Sequence, residues 1–558
     1  MASDEAIENF EILLGAARAA RQSGDGTLAL ALFERALRLR PHDVACLCDY
    51  AFALCDAGQA ERAAHMLNAA LRADAANLNL MAALARTLRA TNRFQLAVNM
   101  GVLCAQVAPG SAHIHYELGQ ALLGLAEPAR AAAAFAQAAE LAHGAERDGA
   151  LKARLLAMSY DDGSDPDEML AVNRLRAASL GPSAPPQPHD NVRAPERRLR
   201  VGYVSSDFRY HSVARPLEAL FAYRDRERFE VFAYSQTRAE DAITKRFEAL
   251  ADGWVSTRGM SDADVALRMR ADRIDILVLS AAHFDDNRLG IALHRPAPVQ
   301  LSIYDSGTTG TDAFDGIVLD PAMADGGGDR LTERPLRTRA MFVHPHLSVA
   351  PDLLPPPCLA NGFVTFGSAN QTSKFSKRTF ALWAAALRAV PGSQLRLKSA
   401  QRYDDPETCA NFGNRFADLG VDPARIVFER GNLGLVEHLR FYTRIDLALD
   451  TTPFNGATTS FESLWMGVPT VALRGRTIMA RWTAALLARI GAAGWAADDD
   501  AGYVDLAVRL AAAAPVQDRP ALRARVAASA LCDLQRHARD YERLYRALWR
   551  RWCAAQHA

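Results

Sequence analysis

Thr458 and Thr459 follow a small-residue turn, Pro453-Phe454-Asn455-Gly456-Ala457, and stand just ahead of a helix-like stretch, Ser460–Met466. Before the turn an apolar run, Leu447–Leu449, stops at Asp450 and reads as a buried parallel strand ending at a ligand edge. A strand, a small-residue turn and a helix opening on hydroxyls leave backbone N–H groups free at the positive end of the helix dipole. That is an anion site, and phosphate is its usual occupant. Glu462 lies about one turn further on, where a carboxylate repels phosphate but can accept hydrogen bonds from ribose hydroxyls. An ordinary strand–helix–strand crossover with Ser/Thr capping has the same local pattern. Two residues elsewhere add chemistry to it. Lys374 supplies a cation for charge growing on a departing phosphate. His211 supplies an imidazole that titrates near neutrality and can take a proton or donate a hydrogen bond.

The elements around these residues predict two α/β sheets in series. In the first, strands are expected at 199–205, 229–235, 274–280 and 299–303, with helical runs between them. His211, His283 and the loop 308–310 would project from the carboxyl ends of those strands, where ligands gather on such sheets. In the second, strands are expected at 363–368, 394–398, 425–429 and 470–473, with helices at 377–389, 404–418 and 435–444. The glycine- and proline-rich stretch 322–356 reads as the crossing between sheets. The tail, 520–552, reads as one or two charged amphipathic helices.

Ahead of the sheets the chain repeats. Pro41, Ala75, Pro109 and His143 are each 34 residues apart, as are Ala29, Ala63, Ala97 and Ala131, and Ala17, Ala51, Ala85 and Gly119. That is the tetratricopeptide period, a helical hairpin with small residues where its helices touch. Such stacks bind extended peptide or protein, so they imply a macromolecular partner without implying any chemistry.

The order of residues also resembles a known family. Phe454-Asn455-Gly456-Ala457-Thr458-Thr459, with Glu462, Leu464-Trp465 and Gly467-Val468-Pro469, is similar to the nucleotide-sugar loop of the SPINDLY / O-linked N-acetylglucosamine transferase family. Val201–Phe208 followed by His211 resembles the segment carrying that family's essential histidine. Phe366, Asn370-Gln371 and Lys374 resemble its diphosphate motif. The resemblance implies a two-lobed GT-B region, with Gln371, Lys374, Thr458 and Thr459 on the diphosphate, and His438 and Glu462 on the nucleoside. His283 matches a second family histidine, although Ala282-His283-Phe284 stands where Gly-His-Thr is usual. The loop Tyr304–Gly310, with Thr308 and Thr309, stands where the family has a donor-side loop, and here it lacks the family's proline. His283, Thr308 and Thr309 are therefore candidates for a donor or acceptor pocket.

With 558 residues, three regions are expected. They are a tetratricopeptide α-solenoid (1–145) with a helical connector and linker (146–197), an N-terminal GT-B lobe (198–350), and a nucleotide-sugar lobe with C-terminal helices (351–558). The class is α plus α/β, with two doubly wound domains. Lys plus Arg and Asp plus Glu both total 64, so nothing points to nucleic acid or an anionic membrane. Eight scattered cysteines show no metal-ligand spacing. The absence of a signal peptide pattern and of long apolar runs reads as a soluble, cytoplasmic protein. The resemblance implies an inverting transferase that needs no metal and moves N-acetylglucosamine from UDP-N-acetylglucosamine onto Ser/Thr of a protein acceptor. The altered 304–310 loop leaves room for another nucleotide sugar, as in flagellin glycosylation, and a catalytically inactive repeat scaffold is the alternative from a different class.

Overall fold

The computed structural model describes residues 2–185, 188–431 and 434–555, with side chains from residue 9 onward. The chain divides into two compact units, Met1–Ala157 with Ala400–Asn414, and Met158–Ser399 with Arg415–Ala558.

In the first unit the helices pair as hairpins: Ala2–Ser23 with Gly26–Leu39, Val44–Asp56 with Ala60–Ala73, Leu78–Ala90 with Phe94–Val107, and Ala112–Gly124 with Pro128–Leu141. The small residues recurring every 34 positions are the ones at which helices touch. Ala29, Ala63, Ala97 and Ala131 are buried, and a Cβ on Gly119 would come within 2.6 Å of the Phe135 ring. Helix starts repeat too. Asp43 Oδ1 accepts the N–H of Cys46 at 2.8 Å and, one period on, Asn77 Oδ1 accepts that of Leu80 at 3.2 Å. The cysteines here are free thiols, and burial pushes Cys46 up to about 12. Residues 400–414 belong to this unit, with the Arg402 guanidinium 4.5 Å from the centre of the Phe94 ring.

The second unit holds two parallel sheets. The first contains β1 (Leu199–Ser205), β2 (Phe229–Ser235), β3 (Gly253–Ser256), β4 (Ile276–Ser280), β5 (Val299–Ile303), β6 (Gly316–Leu319) and β7 (Pro335–Arg337), in the order β3-β2-β1-β4-β5-β6-β7. The second contains β8 (Thr365–Ser368), β9 (Gln394–Lys398), β10 (Ile426–Glu429), β11 (Leu447–Leu449), β12 (Thr470–Leu473) and β13 (Ala496–Ala497), in the order β10-β9-β8-β11-β12-β13. β4 and β5 are buried at every residue, which explains their unbroken apolar runs. In each sheet the chain order reverses beside the first strand, between β1 and β4 and between β8 and β11. Loops diverge there and leave a crevice beyond the carboxyl ends of the strands. The short strands β3, β6, β7 and β13 lie outside the sequence expectations, because two to four residues carry too little periodicity.

The lobes are tied directly. Arg489 donates to both carboxylate oxygens of Asp320 at 2.7 and 3.0 Å, and Asp329 accepts the N–H of Ile478. One expectation is corrected here. The terminal helix, Leu534–Ala554, is expected with the second lobe but packs on the first: Tyr545 Oη lies 3.0 Å from Tyr203 Oη on β1, and Tyr304, just past β5, bonds His537 at 3.0 Å. The helix is strongly amphipathic, and its apolar face covers the first sheet. Sequence order gives no hint of that return.

Candidate active site

The second crevice is the more open in its chemistry. The helix expected from Ser460 begins at Thr458, and Ala457 before it has no side chain with which to cap it. Gly456 is required at the turn, since a Cβ there would collide with Ser460 Oγ and come within 2.7 Å of Thr459 Oγ1. Asp450 closes the turn from below: its Oδ1 accepts the N–H groups of Thr451 (2.9 Å) and Gly456 (2.8 Å). Thr459 Oγ1 donates to Asn370 Oδ1 at 3.0 Å, joining the ends of β8 and β11. Thr458 Oγ1, Asn455 Oδ1 and Asp450 Oδ2 are buried without a partner among the described residues. Of the three, only the Thr458 hydroxyl can donate, so it is the atom here that could meet an anion.

Lys374 reaches the same turn from the loop after β8. Its ammonium donates to the carbonyl of Asn455 at 3.0 Å and lies 4.5 Å from the centre of the Phe454 ring. Burial pushes it down to about 8, against the pull of Asp450. Gln371 is exposed on that loop. One turn into the helix Glu462 is buried, and both its oxygens are held. Oε2 lies 2.9 Å from His438 Nε2, and Oε1 accepts from Arg215 at 3.4 Å. Lys398, at the end of β9, lies 3.1 Å from His438 Nδ1. An ammonium only donates, so His438 accepts through Nδ1 and donates through Nε2 to Glu462. Burial pushes Lys398 down to about 8 as well.

Arg215 comes from the first lobe, four residues after His211, so this contact joins the two crevices. His211 is half-buried. Its Nδ1 accepts the N–H of Val213 at 3.3 Å with Asp207 3.6 Å away, and its Nε2 lies 3.3 Å from Asp285. Asp207 is fully buried at the end of β1; burial raises its carboxyl, opposed by the histidine and by a 3.1 Å bond from Asn287. The sequence shows no metal cluster, yet the ligand atoms of Asp207, His211 and Asp285 fall within 4.8 Å of one another. The two carboxylates address opposite nitrogens of the ring, and an imidazole presents one nitrogen to one ion. The trio therefore orients a histidine better than it encloses a metal.

His283, Thr308 and Thr309 are not brought to this meeting point as available groups. His283 is buried, with Nδ1 2.6 Å from Asp305 and Nε2 2.6 Å from Asn173, so both nitrogens already face acceptors. Burial works to raise Asp305, but His283 and the N–H groups of Ser306 and His283 outweigh it and hold its carboxyl below the usual range. Thr308 donates to Glu333 at 2.7 Å, and Thr309 bonds the same carboxylate through both its N–H and its hydroxyl. Gly310 has φ +75°, and a Cβ there would collide with the backbone of Asn173, so the loop is shaped by close approach to the connector helix. Asp207, Arg215, Lys398, Asn370 and Asp450 join the site without having been singled out in the sequence as chemical groups. Asp207 and Asn370 have a signal there as neighbours inside motifs that carry the other candidates, and Asp450 has one as the residue at which the Leu447–Leu449 strand stops.

Comparison with known proteins decides the family. The model of glycosyl transferase family 41 matches residues 177–325 and 357–541, and a tetratricopeptide repeat model matches residues 20–86. The chain belongs to glycosyl transferase family 41. A Solanum lycopersicum protein named "Probable UDP-N-acetylglucosamine--peptide N-acetylglucosaminyltransferase SPINDLY" is 35% identical over 418 residues, 72% of this chain and 44% of the relative. The protein of the same name from Arabidopsis thaliana is 34% identical over 72% of this chain and 45% of its own length. The chain thus spans less than half the length of these family 41 relatives. Among solved structures, a mutant of the Thermobaculum terrenum O-GlcNAc transferase covers 99% of both chains with a TM-score of 0.81 and 29% identity. Repeats followed by two parallel-sheet lobes are thus shared with that solved structure, consistent with GT-B. Among the described residues no helix is long and apolar enough to cross a membrane.

Proposed function

We propose that the chain transfers N-acetylglucosamine from UDP-N-acetylglucosamine to Ser/Thr hydroxyls of protein acceptors in the cytoplasm, with inversion and without a metal ion. The observation that carries this reading is the uncapped helix start at Thr458, whose hydroxyl has no partner among the described residues, with the Lys374 ammonium on the Asn455 carbonyl of the same turn. Such a pocket suits a diphosphate, which Gln371, Lys374, Thr458 and Thr459 would hold. The ribose then lies one turn on at Glu462, its hydroxyls competing with Arg215 and His438 for the carboxylate, and His438 flanks the base. The acceptor oxygen bonds to the anomeric carbon as the bond from that carbon to the phosphate oxygen breaks, and the electron pair leaves with UDP. Negative charge grows on the diphosphate at that moment, and fixed N–H dipoles and one ammonium stabilise it without reorganising. His211, with Nδ1 on the N–H of Val213 and Nε2 toward Asp285, stands on the acceptor side and orients the hydroxyl, whose proton passes to water or to a phosphate oxygen of the departing UDP. The repeats present the acceptor protein. The names of the relatives support the donor and the peptide acceptor. Balanced charge gives no reason for a nucleic-acid partner.

The test is intact-mass analysis of a candidate acceptor incubated with the chain and UDP-N-acetylglucosamine. A gain of one N-acetylhexosamine per modified site is expected. No gain, or a gain only with a different nucleotide sugar, overturns the proposal.

A further inference from the structure

The helix Leu534–Ala554 carries Arg539, Arg543, Arg546 and Arg550 at steps of four, three and four, which places them on one face. That face and the turn before β2 enclose a cavity of about 610 Å³. Arg224 and Arg228 line it from the turn, so six arginines meet two acids there, Asp225 and Glu542. The cavity sits at the amino-terminal ends of β1 and β2, the edge of the sheet opposite His211, and nothing in the transfer reaction uses it.

Several of these charges are already matched. Arg224 pairs with Asp252 at 2.8 Å, Arg550 with Glu196 at 2.6 Å, and Arg543 with Asp540. Glu542 accepts the N–H of Asp225 at 2.6 Å. Arg546 differs. It is 4% exposed, and its Nη1 donates to the carbonyls of Pro195 (2.7 Å) and Arg197 (2.9 Å). Its Nε and Nη2 are buried with no partner among the described residues. Burial pushes its guanidinium down from its ordinary value, and the neighbouring Arg228, Arg550 and Arg197 push the same way against Glu196. Among the described residues no carboxylate pairs directly with this buried guanidinium, which meets two carbonyls and the Phe229 ring while Glu196 pulls on it from further off.

We propose that this cavity binds a small polyvalent anion of the phosphate class. Its volume is that of small-molecule sites, and arginine forks match phosphate oxygens in pairs. Exposed Arg539 and Arg543 form the rim that gathers the anion, and buried Arg224 and Arg546 form the floor.

The test titrates inorganic tripolyphosphate by calorimetry into the full chain carrying Lys374→Ala, which removes the cation of the nucleotide crevice. One saturable site is expected, weakening steeply with salt. Adding Arg539→Ala and Arg543→Ala, both on the surface, should lower its affinity at least tenfold while the melting temperature stays put. Arg546→Lys keeps the charge but loses the fork and should weaken binding too; if that variant fails to fold, the rim pair alone decides. A parallel arm offers phosphatidylcholine vesicles containing phosphatidylglycerol. Capture that tripolyphosphate displaces assigns the cavity to a lipid headgroup phosphate, and no capture assigns it to a soluble anion. Absence of a saturable site, or a rim variant that binds as tightly as its parent, overturns the proposal.

Discussion

At the β1/β4 crevice every candidate side chain stands between partners: His211 between Asp207 and Asp285, His283 between Asp305 and Asn173, and Thr308 and Thr309 on Glu333. At the β8/β11 crevice Thr458, Asn455 and Asp450 each keep a buried polar atom with no partner among the described residues, and the Lys374 ammonium meets a carbonyl and a ring with Asp450 pulling on it. Two crevices of the same topology are thus equipped for different work. Groups that are already satisfied hold their positions and can orient a reactant. An unmatched hydroxyl and an ammonium beside one turn lower their own free energy when an anion arrives. The contrast fits the proposed division of labour, in which the second lobe binds charge and the first places the acceptor.

Lys374→Ala should break the comparison hardest. Turnover at saturating donor should fall roughly a hundredfold or more, the scale of losing one preorganised donor at a developing charge. Steady-state kinetics beside a UDP titration would show whether kcat carries the loss. Glu462→Ala should weaken UDP by about 2 kcal/mol, or ~30-fold, since bonds to a charged acceptor are among the stronger ones. Titration of UDP against the folded variant checks it, and an unchanged Kd removes Glu462 from the ribose. His211→Ala should lower turnover by about tenfold, one oriented hydrogen bond, and leave UDP affinity as it was. If His211→Ala instead abolishes UDP binding while Lys374→Ala turns over normally, the two lobes have been assigned the wrong way round.

The smallest effect is in pH. Lys374 and Lys398 are both held at about 8, below the usual lysine range, because burial disfavours their charged forms. The charged form is the one that meets the diphosphate. Donor kcat/KM should therefore be level below about pH 8 and decline by up to about tenfold per unit above it. Stability runs the other way. Below about 8 both lysines carry the full burial penalty, and between there and the unfolded lysine range the unfolded chain binds more protons than the folded one. The folded state therefore gains stability as pH rises through that window. A pH profile that stays flat to pH 10 would place both lysines outside donor binding.

Much of this organisation is readable in the sequence because it is local or periodic. The 34-residue step gives the hairpins, and the apolar runs give the long strands. The order of residues around Thr458, Lys374 and His211 marks the loops beyond the carboxyl ends of β11, β8 and β1. What stays hidden are the pairings over long separations: Arg215 with Glu462 is 247 residues apart, and Asn173 with His283 is 110. No spacing rule links such residues, and only the sheet order brings them together. The availability of a group is hidden as well. His283, Thr308 and Thr309 have the right types for a sugar pocket, but the acids that hold them, Asp305 and Glu333, carry no mark in the sequence that distinguishes them from surface charges.

The return of the helix Leu534–Ala554 to the first lobe also sets a timetable for synthesis. Tyr203 and Tyr304 bury their hydroxyls against Tyr545 and His537, so one face of the first sheet is completed by residues made some 230 to 340 positions later. On the ribosome the repeats and the second sheet emerge while that face is still uncovered. The first lobe therefore cannot bury that face until the helix Leu534–Ala554 has been made.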